Sequence, residues 1–348
     1  MKDKMCIHPY FRLNGYEYSQ ESLSELAITL VKDGEAYEKE LGDFILEWFN
    51  KNDFVALTTS GTTGAPKNIR LSKEAMIHSA LATGDFFGLN PGDSALLCLP
   101  TRYIAGKMMF VRAVVLGLKL DYVNPCKEPL KNTDKIYDFV AMVPLQVQHS
   151  ITQIEQCKKL IVGGAKLNDD VRSLLKNMLI EVYETYGMTE TITHIAAKKI
   201  EEDFFTVLPH ANISMDDRGC LIIEAPLVAN GLVVTNDLIT MVNDIQFQWL
   251  GRIDNVINSG GIKLIPEQIE HKLSEYIPYR FFVIGKEDKE LGQRLVLVIE
   301  HDSYSLSPEA IESLGQYERP KEILFVKQFK ETPTGKILRK ETVGEMAF

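Results

Sequence analysis

Cysteine is scarce. The 348 residues contain five, Cys6, Cys98, Cys126, Cys157 and Cys220, scattered and without a CxxC pair. No disulfide framework or cysteine zinc site reads from such spacing, and the expected compartment is reducing. Basic residues are in deficit, with 38 Lys+Arg against 48 Asp+Glu and a formal net charge of −10. An acidic body argues against nonspecific nucleic-acid binding, which needs a basic surface. It leaves room for an anionic ligand in a local pocket that opposes the global field. Long apolar runs are missing too. The best candidate for a membrane span, Met108 to Leu118, is broken by Arg112, so no span is expected. No apolar run follows Met1-Lys2-Asp3-Lys4-Met5, so no signal peptide reads out and the cytoplasm is the expected location. Tandem repeats and low-complexity tracts are absent. What remains is ordinary, 45% hydrophobic and 25% charged, as in a globular chain of about two domains.

Helical periodicity opens the chain at Ser22 to Leu30 and Glu35 to Phe49. A strand over Phe54 to Leu57 runs into a polar, glycine-rich loop. Helices over Ser72 to Phe87 (Ser72 as N-cap) and Ile104 to Leu116 then alternate with strands at Ala95 to Leu99, Lys119 to Val123, Phe139 to Val143, Leu160 to Val162 and Leu179 to Tyr183. That alternation predicts an α/β domain with a largely parallel sheet. Beyond about Asp217 the strands read as shorter and antiparallel. From Asp254 a small α+β unit follows, too small to bury much core alone. The expected division is therefore 1–253 and 254–348, with the boundary near Asp254.

Chemistry concentrates in a few segments. Thr58-Thr59-Ser60-Gly61-Thr62-Thr63-Gly64-Ala65-Pro66-Lys67 gathers hydroxyls, glycines and a lysine in one loop. Glycines let backbone N–H groups approach an anion, hydroxyls donate to phosphate oxygens, and the lysine adds a point charge. The order is not that of a Walker loop, because Pro66 precedes Lys67 and a strand follows; a P-loop phosphotransferase is thereby disfavoured. In Tyr183-Glu184-Thr185-Tyr186-Gly187-Met188-Thr189-Glu190 an aromatic face suits a purine and a carboxylate suits a hard cation. Each segment alone also reads as an ordinary turn.

Together and in this order they resemble the adenylate-forming enzymes: acyl-CoA synthetases, peptide-synthetase adenylation domains and luciferases. The resemblance runs from Thr58 to Lys340. It implies a large α/β N-terminal domain, here shortened, and a small mobile α+β C-terminal domain, with ATP, Mg²⁺ and coenzyme A as co-reactants. It also implies roles. Thr59, Ser60, Gly61, Thr62, Thr63, Gly64 and Lys67 hold the phosphates. Gly163 and Gly164 line the adenine and acyl pockets, with Lys166 where many relatives have proline. Tyr186 stacks on the adenine, Gly187 belongs to the same nucleotide-binding motif, Thr189 contacts the α-phosphate, and Glu190 helps bind Mg²⁺. Asp237 and Arg252 reach the ribose. Asn236 stands where relatives have glycine, and asparagine tolerates the left-handed turn expected there. Asp254 is the hinge, and Gly260-Gly261 leave room for the pantetheine arm. Lys336, in Pro333-Thr334-Gly335-Lys336, bridges the acid's carboxylate and the α-phosphate, where a cation stabilises two meeting anions. Lys340 is expected to matter little.

The segment Pro100 to Lys107 takes the place of a motif that often carries an aromatic or histidine against the acyl group. It has none of the expected histidine but two cations, Arg102 and Lys107, with Arg112 further along. A cationic acyl pocket suits a substrate with a second carboxylate; the plainer alternative is that these cations face solvent. Met142 to Gln148 and Met188 to Ile195 resemble the o-succinylbenzoate–CoA ligases of menaquinone synthesis. The expected partners are thus a small-molecule carboxylic acid, ATP and CoA. Rival readings are a ligase for another aryl or fatty acid and a non-catalytic nucleotide-binding scaffold. Only 57 residues precede the phosphate loop, where relatives usually have well over a hundred. Such shortening is expected to alter the acyl and CoA entrances and to leave an apolar face for a partner subunit, as in a homo-oligomer.

Overall fold

Apolar residues at helical spacing form α1 (Gln20–Asp33) and α2 (Ala36–Phe49). Ser19 caps α1 through a reciprocal pair with Ser22, which satisfies two otherwise orphaned N–H groups. Leu41, Phe44, Ile45 and Trp48 make the buried stripe of α2. The computed structural model describes residues 7–59, 67–165, 167–229, 231–331 and 337–344. Compactness divides them into two units. One takes the chain up to Ile213 with Ile223–Val233 and Asp244–Gln246; the other takes Ser214–Ile222, Val234–Asn243 and the chain from Phe247 on.

The first unit is built on strands β1 (Arg12–Leu13), β2 (Phe54–Thr59), β3 (Lys67–Ser72), β4 (Ser94–Leu97), β5 (Lys119–Tyr122), β6 (Tyr137–Met142), β7 (Cys157–Val162), β8 (Glu181–Gly187), β9 (His194–Lys199) and β10 (Phe205–Val207). Its main sheet runs β1-β5-β4-β6-β7-β8-β9-β10. Every pair from β1 to β8 is parallel, and β8/β9 and β9/β10 are antiparallel. Helices α3 (Lys73–Phe87), α4 (Ile104–Leu116), α5 (Pro144–His149) and α6 (Asp169–Leu175) connect these strands. The near-continuous apolar runs of β4, β6 and β7 follow from a sheet covered on both faces; Leu96, Val140, Leu160 and Val162 share one buried cluster. From β4 the chain goes to β5 on one side and returns to β6 on the other. Such a reversal opens a crevice at the C-terminal ends of parallel strands. The strand expected over Leu179 to Tyr183 sits later than its apolar letters suggest. Leu179 is 99% exposed, and β8 runs on to Gly187, placing the Tyr186-Gly187 pair at its end.

Largely in the second unit, β11 (Asn212–Met215), β12 (Cys220–Glu224), β13 (Leu232–Asn243) and β14 (Gln246–Arg252) run in the order β14-β13-β12-β11. β13 is twelve residues long, not the short strand expected. β15 (Ile257–Ser259), β16 (Ile262–Leu264), α7 (Pro266–Leu273), β17 (Phe281–Asp288), β18 (Gly292–Glu300), α8 (Pro308–Glu312), β19 (Glu322–Val326) and α9 (Arg339–Val343) complete it. Alternation along β17 and β18 buries both faces. Val283, Leu295 and Leu297 pack in one cluster with α7 and α8 residues, and Phe282, Val296 and Val298 pack with Phe329 and Val343. This part has its own core on each side of its sheet, more than its length suggests. The chain alternates between the two units from Ile213 to Phe247, rather than changing once near Asp254.

Candidate functional site

Thr59 and Lys67 face each other as the last register pair of the β2/β3 ribbon. The loop they close, with Ser60, Gly61, Thr62, Thr63 and Gly64, lies outside the described residues, as do Lys166 and Lys336. A strand on each side separates this loop from a Walker P-loop, which feeds directly into a helix.

Gly163-Gly164 and Tyr186-Gly187 come together at the C-terminal ends of the neighbouring parallel strands β7 and β8. Thr185 Oγ1 donates to the Val162 carbonyl at 3.1 Å, and a Cβ on Gly163 would stand 2.7 Å from that hydroxyl. The register slips between Tyr186 and Gly187, and a side chain on Gly187 would overlap the Thr193 carbonyl. Glycine is required there by the returning backbone. Tyr186 is half-buried, its ring 5.9 Å from that of Phe205. Thr189 is half-buried and Glu190 exposed on the 3₁₀ turn Thr189–Thr191.

One feature of this turn is invisible to motif reading. Ile192 has φ 66° and ψ −64°, and the Thr193 N–H donates to the Thr191 carbonyl at 2.8 Å. That is a γ-turn of the rare, strained hand, on a β-branched residue for which positive φ is an outlier. Such strain persists only where the surroundings over-determine it. Ile192 is buried, and Thr191 Oγ1 both accepts from Met188 N–H at 3.2 Å and reaches the Thr193 carbonyl at 2.8 Å. The turn holds Thr189 and Glu190 in place. Among the described residues no group of three or more His, Cys, Asp or Glu side chains could hold a metal ion. A single exposed carboxylate fits Mg²⁺ that arrives with phosphates and keeps most of its waters.

The cations beside the sheet differ from expectation. Arg102 is exposed and pairs with Glu40 at 3.0 Å. Lys107 is buried but pairs with Glu47 at 3.2 Å and lies over the Phe44 ring. Both are already neutralised by α2, so neither stands as a free cation for an acid. Arg112 does. It is 2% exposed, and its hydrogen bonds go to neutral groups: Thr83 Oγ1 at 3.3 Å, Thr193 Oγ1 at 3.4 Å and Met109 Sδ at 3.6 Å. No carboxylate among the described residues pairs with it. Burial pulls its pKa down to about 9, so it stays charged at neutral pH. Through Thr193 it is tied to the segment that follows Glu190.

His194, fully buried in the same cluster, meets Thr83 Oγ1 at 3.3 Å. Burial first, then the Arg112 charge, then His210, holds it neutral well below the usual histidine range. Unfolded, it would take up a proton below about pH 6.5. Stability is therefore unaffected above that pH and falls below it by about 1.4 kcal/mol per pH unit. A His194→Gln variant is expected to unfold with a shallower acid dependence between pH 6.5 and 5, by one proton, in chemical denaturation followed against pH.

In the second unit Asp237 is 6% exposed and accepts from Trp249 Nε1 at 3.1 Å, which removes the reading of a solvated turn aspartate. Arg252 Nε stands 3.9 Å from Asp237 and donates through its NH2 group to Asp254 at 3.0 Å. Burial works against ionising Asp254, but hydrogen bonds from Arg252 and Asn236 hold its pKa below the usual range. Asn236 corrects an expectation. It lies in extended β13 with no positive φ, and its amide donates to Asp254 at 3.1 Å while its carbonyl accepts from Arg218. A side-chain role replaces the backbone one. Gly260 and Gly261, at φ 59° and 82°, are the two central residues of the β15/β16 hairpin. Such a turn needs positive φ at both positions, so the turn itself accounts for both glycines.

Residues 18–217 match the model of the AMP-binding enzyme family. The chain belongs to that family. A 2-succinylbenzoate–CoA ligase of Listeria monocytogenes is 26% identical over 91% of this chain and 74% of its own length. An acyl-CoA synthetase (AMP-forming)/AMP-acid ligase II-like protein from Dyadobacter fermentans is 37% identical, with TM-score 0.62, covering 92% of this chain and 97% of that one. The o-succinylbenzoate coenzyme A synthetase of Bacillus subtilis, solved with ATP and magnesium ion, shares the fold at 19% identity and TM-score 0.73, over 93% of this chain and 82% of that one. The AMP-binding enzyme carries the adenylate-forming fold. Among its described residues no helix is long and apolar enough to cross a membrane.

Proposed function

We propose that this AMP-binding enzyme is an acid–CoA ligase working in the cytoplasm, and that its acid is o-succinylbenzoate. The observation that carries the choice of acid is Arg112, a buried guanidinium without a carboxylate partner among the described residues, joined through Thr193 to the turn that presents Thr189 and Glu190. A buried cation costs free energy unless paired; a substrate with a second carboxylate supplies the pair. The 2-succinylbenzoate–CoA ligase of Listeria monocytogenes supports the same reading.

In this reading the acid's reactive carboxylate oxygen attacks the α-phosphorus of ATP. The bond to the bridging oxygen breaks and pyrophosphate leaves, giving the acyl-adenylate. Lys336 neutralises the two meeting anions, Thr189 donates to the α-phosphate, Tyr186 covers the adenine, and Asp237 with Arg252 holds the ribose. Mg²⁺, when bound, offsets phosphate charge at Glu190. The CoA sulfur then attacks the acyl carbon, AMP departs, and the thiol proton passes to solvent. Pyrophosphate contacts and a thiol channel cannot share one cleft, so the part beyond Asp254 turns between the steps.

The test is acid-dependent ATP–pyrophosphate exchange with o-succinylbenzoate, benzoate and medium-chain acids side by side. Exchange driven by o-succinylbenzoate alone is the expected result. Benzoate or a fatty acid serving equally well would overturn the choice of acid, and no exchange with any acid would favour a scaffold.

A further inference from the structure

Ile337, Leu338 and Arg339 follow directly on Lys336, and they are tied to neighbouring elements. Glu331 and Ile337 form an antiparallel bridge. Leu338 N–H donates to the Lys330 carbonyl at 2.8 Å, Lys330 N–H to Thr342 Oγ1 at 3.0 Å, and Phe329 N–H to Glu300 at 2.6 Å. Arg280 pairs with Glu331. On the outgoing side one side chain adds a further tie. Arg339 forks onto Glu270 of α7, with NH1 2.7 Å from Oε1 and NH2 3.0 Å from Oε2. Its NH1 also donates to the Val283 carbonyl at 3.0 Å, while Glu270 Oε1 accepts from the Val283 N–H at 2.7 Å. The pair thus holds both backbone groups of one residue of β17, Val283, and Glu267 stands 3.7 Å from the same guanidinium.

A largely buried ion pair is a weak source of stability, since an apolar pair of similar volume often serves as well. What it supplies is geometry: the planar fork of arginine fits a carboxylate in one orientation. We infer that Arg339, clamped by Glu270 and Val283, is a positioning residue for adenylation, fixing the point from which the chain carrying Lys336 departs. The inference rests on the proposed role of that lysine. It separates the two half-reactions, because only the first uses the lysine. A misplacement of about 1 Å costs about 10²-fold in rate.

The experiment measures both half-reactions of the full chain. Arg339→Lys keeps the charge and loses the fork. It is expected to lower kcat for acid-dependent ATP–pyrophosphate exchange by about 10²-fold, with KM for ATP and the thioester step from supplied acyl-adenylate within about threefold. Should Arg339→Lys fold poorly, the double change Arg339→Gln with Glu270→Gln removes the charged fork while keeping a donor and an acceptor for the backbone of Val283. It is expected to keep the thermal midpoint and show the same split. Lys340→Ala, one cation further along α9, is expected to change neither step. Equal loss of both steps, or loss that tracks the midpoint, would make Arg339 merely structural and overturn the inference. Lys336→Ala, run alongside, separates the causes. Exchange lost there but kept in Arg339→Lys overturns the positioning role alone. Exchange kept in both overturns the lysine's role and the inference with it.

Discussion

Replacing Lys336 by alanine is expected to cut acid-dependent ATP–pyrophosphate exchange by about 10²–10³-fold, the usual cost of removing one preorganised group from a charge-developing transition state. The chemistry requires it. A carboxylate must approach an α-phosphate already carrying negative charge, and the net charge of −10 on the protein gives no general help. A single ammonium group between the two oxygens offsets repulsion where it peaks. The thioester step has no such meeting at phosphorus, because the thiol attacks the acyl carbon and the adenylate's negative charge lies on the phosphate that leaves. Thioester formation from supplied acyl-adenylate is therefore expected to stay within about threefold. Exchange and thioester assays on the same preparation check this, and equal loss in both would remove Lys336 from the mechanism.

Arg112→Met is the second large effect, and its two readouts move in opposite directions. Without Arg112, KM for o-succinylbenzoate is expected to rise by about 10²-fold, the cost of leaving a buried carboxylate without its partner. KM for ATP stays near its original value. Stability is expected to rise by about 1 kcal/mol or more, because a buried charge with no carboxylate partner among the described residues gives way to an apolar group of similar length. The hydroxyls it leaves behind keep partners: Thr83 Oγ1 donates to the Ser79 carbonyl at 2.8 Å, and Thr193 Oγ1 lies 3.0 Å from Ser79 Oγ. A merely structural arginine would lose stability and activity together. Thermal unfolding of the free enzyme beside acid-dependent kinetics distinguishes the two.

Much of the first unit was legible because its signals are local. Ser72 as N-cap, Gly117 just past α4 and the apolar run of β6 each announce themselves within a few residues. Motif order from Thr58 to Lys340 carried the family. What stayed hidden depends on distant residues. Arg102 and Lys107 looked like free cations because Glu40 and Glu47 lie about sixty positions earlier, and no local pattern couples them. Gly187 read as part of a motif, whereas its need comes from the backbone at Thr193. Asn236 stands where relatives use glycine in a turn, yet the long β13 continues through it. The γ-turn at Ile192 has no letter code at all, since isoleucine is among the residues least expected at positive φ.

The counter-charges on α2 bear on how far this chain tolerates truncation. Phe44 and Trp48 are almost fully enclosed, and Glu40 and Glu47 stand against cations before and within α4. A version starting at the phosphate loop would unmask Arg102 and strand Lys107 in an apolar wall with no counterion. It would also forgo about 1.5–3 kcal/mol for each large side chain no longer enclosed. The leading helices are thus an integral brace of the catalytic body, and trimming them is a route to insolubility rather than to a minimal enzyme.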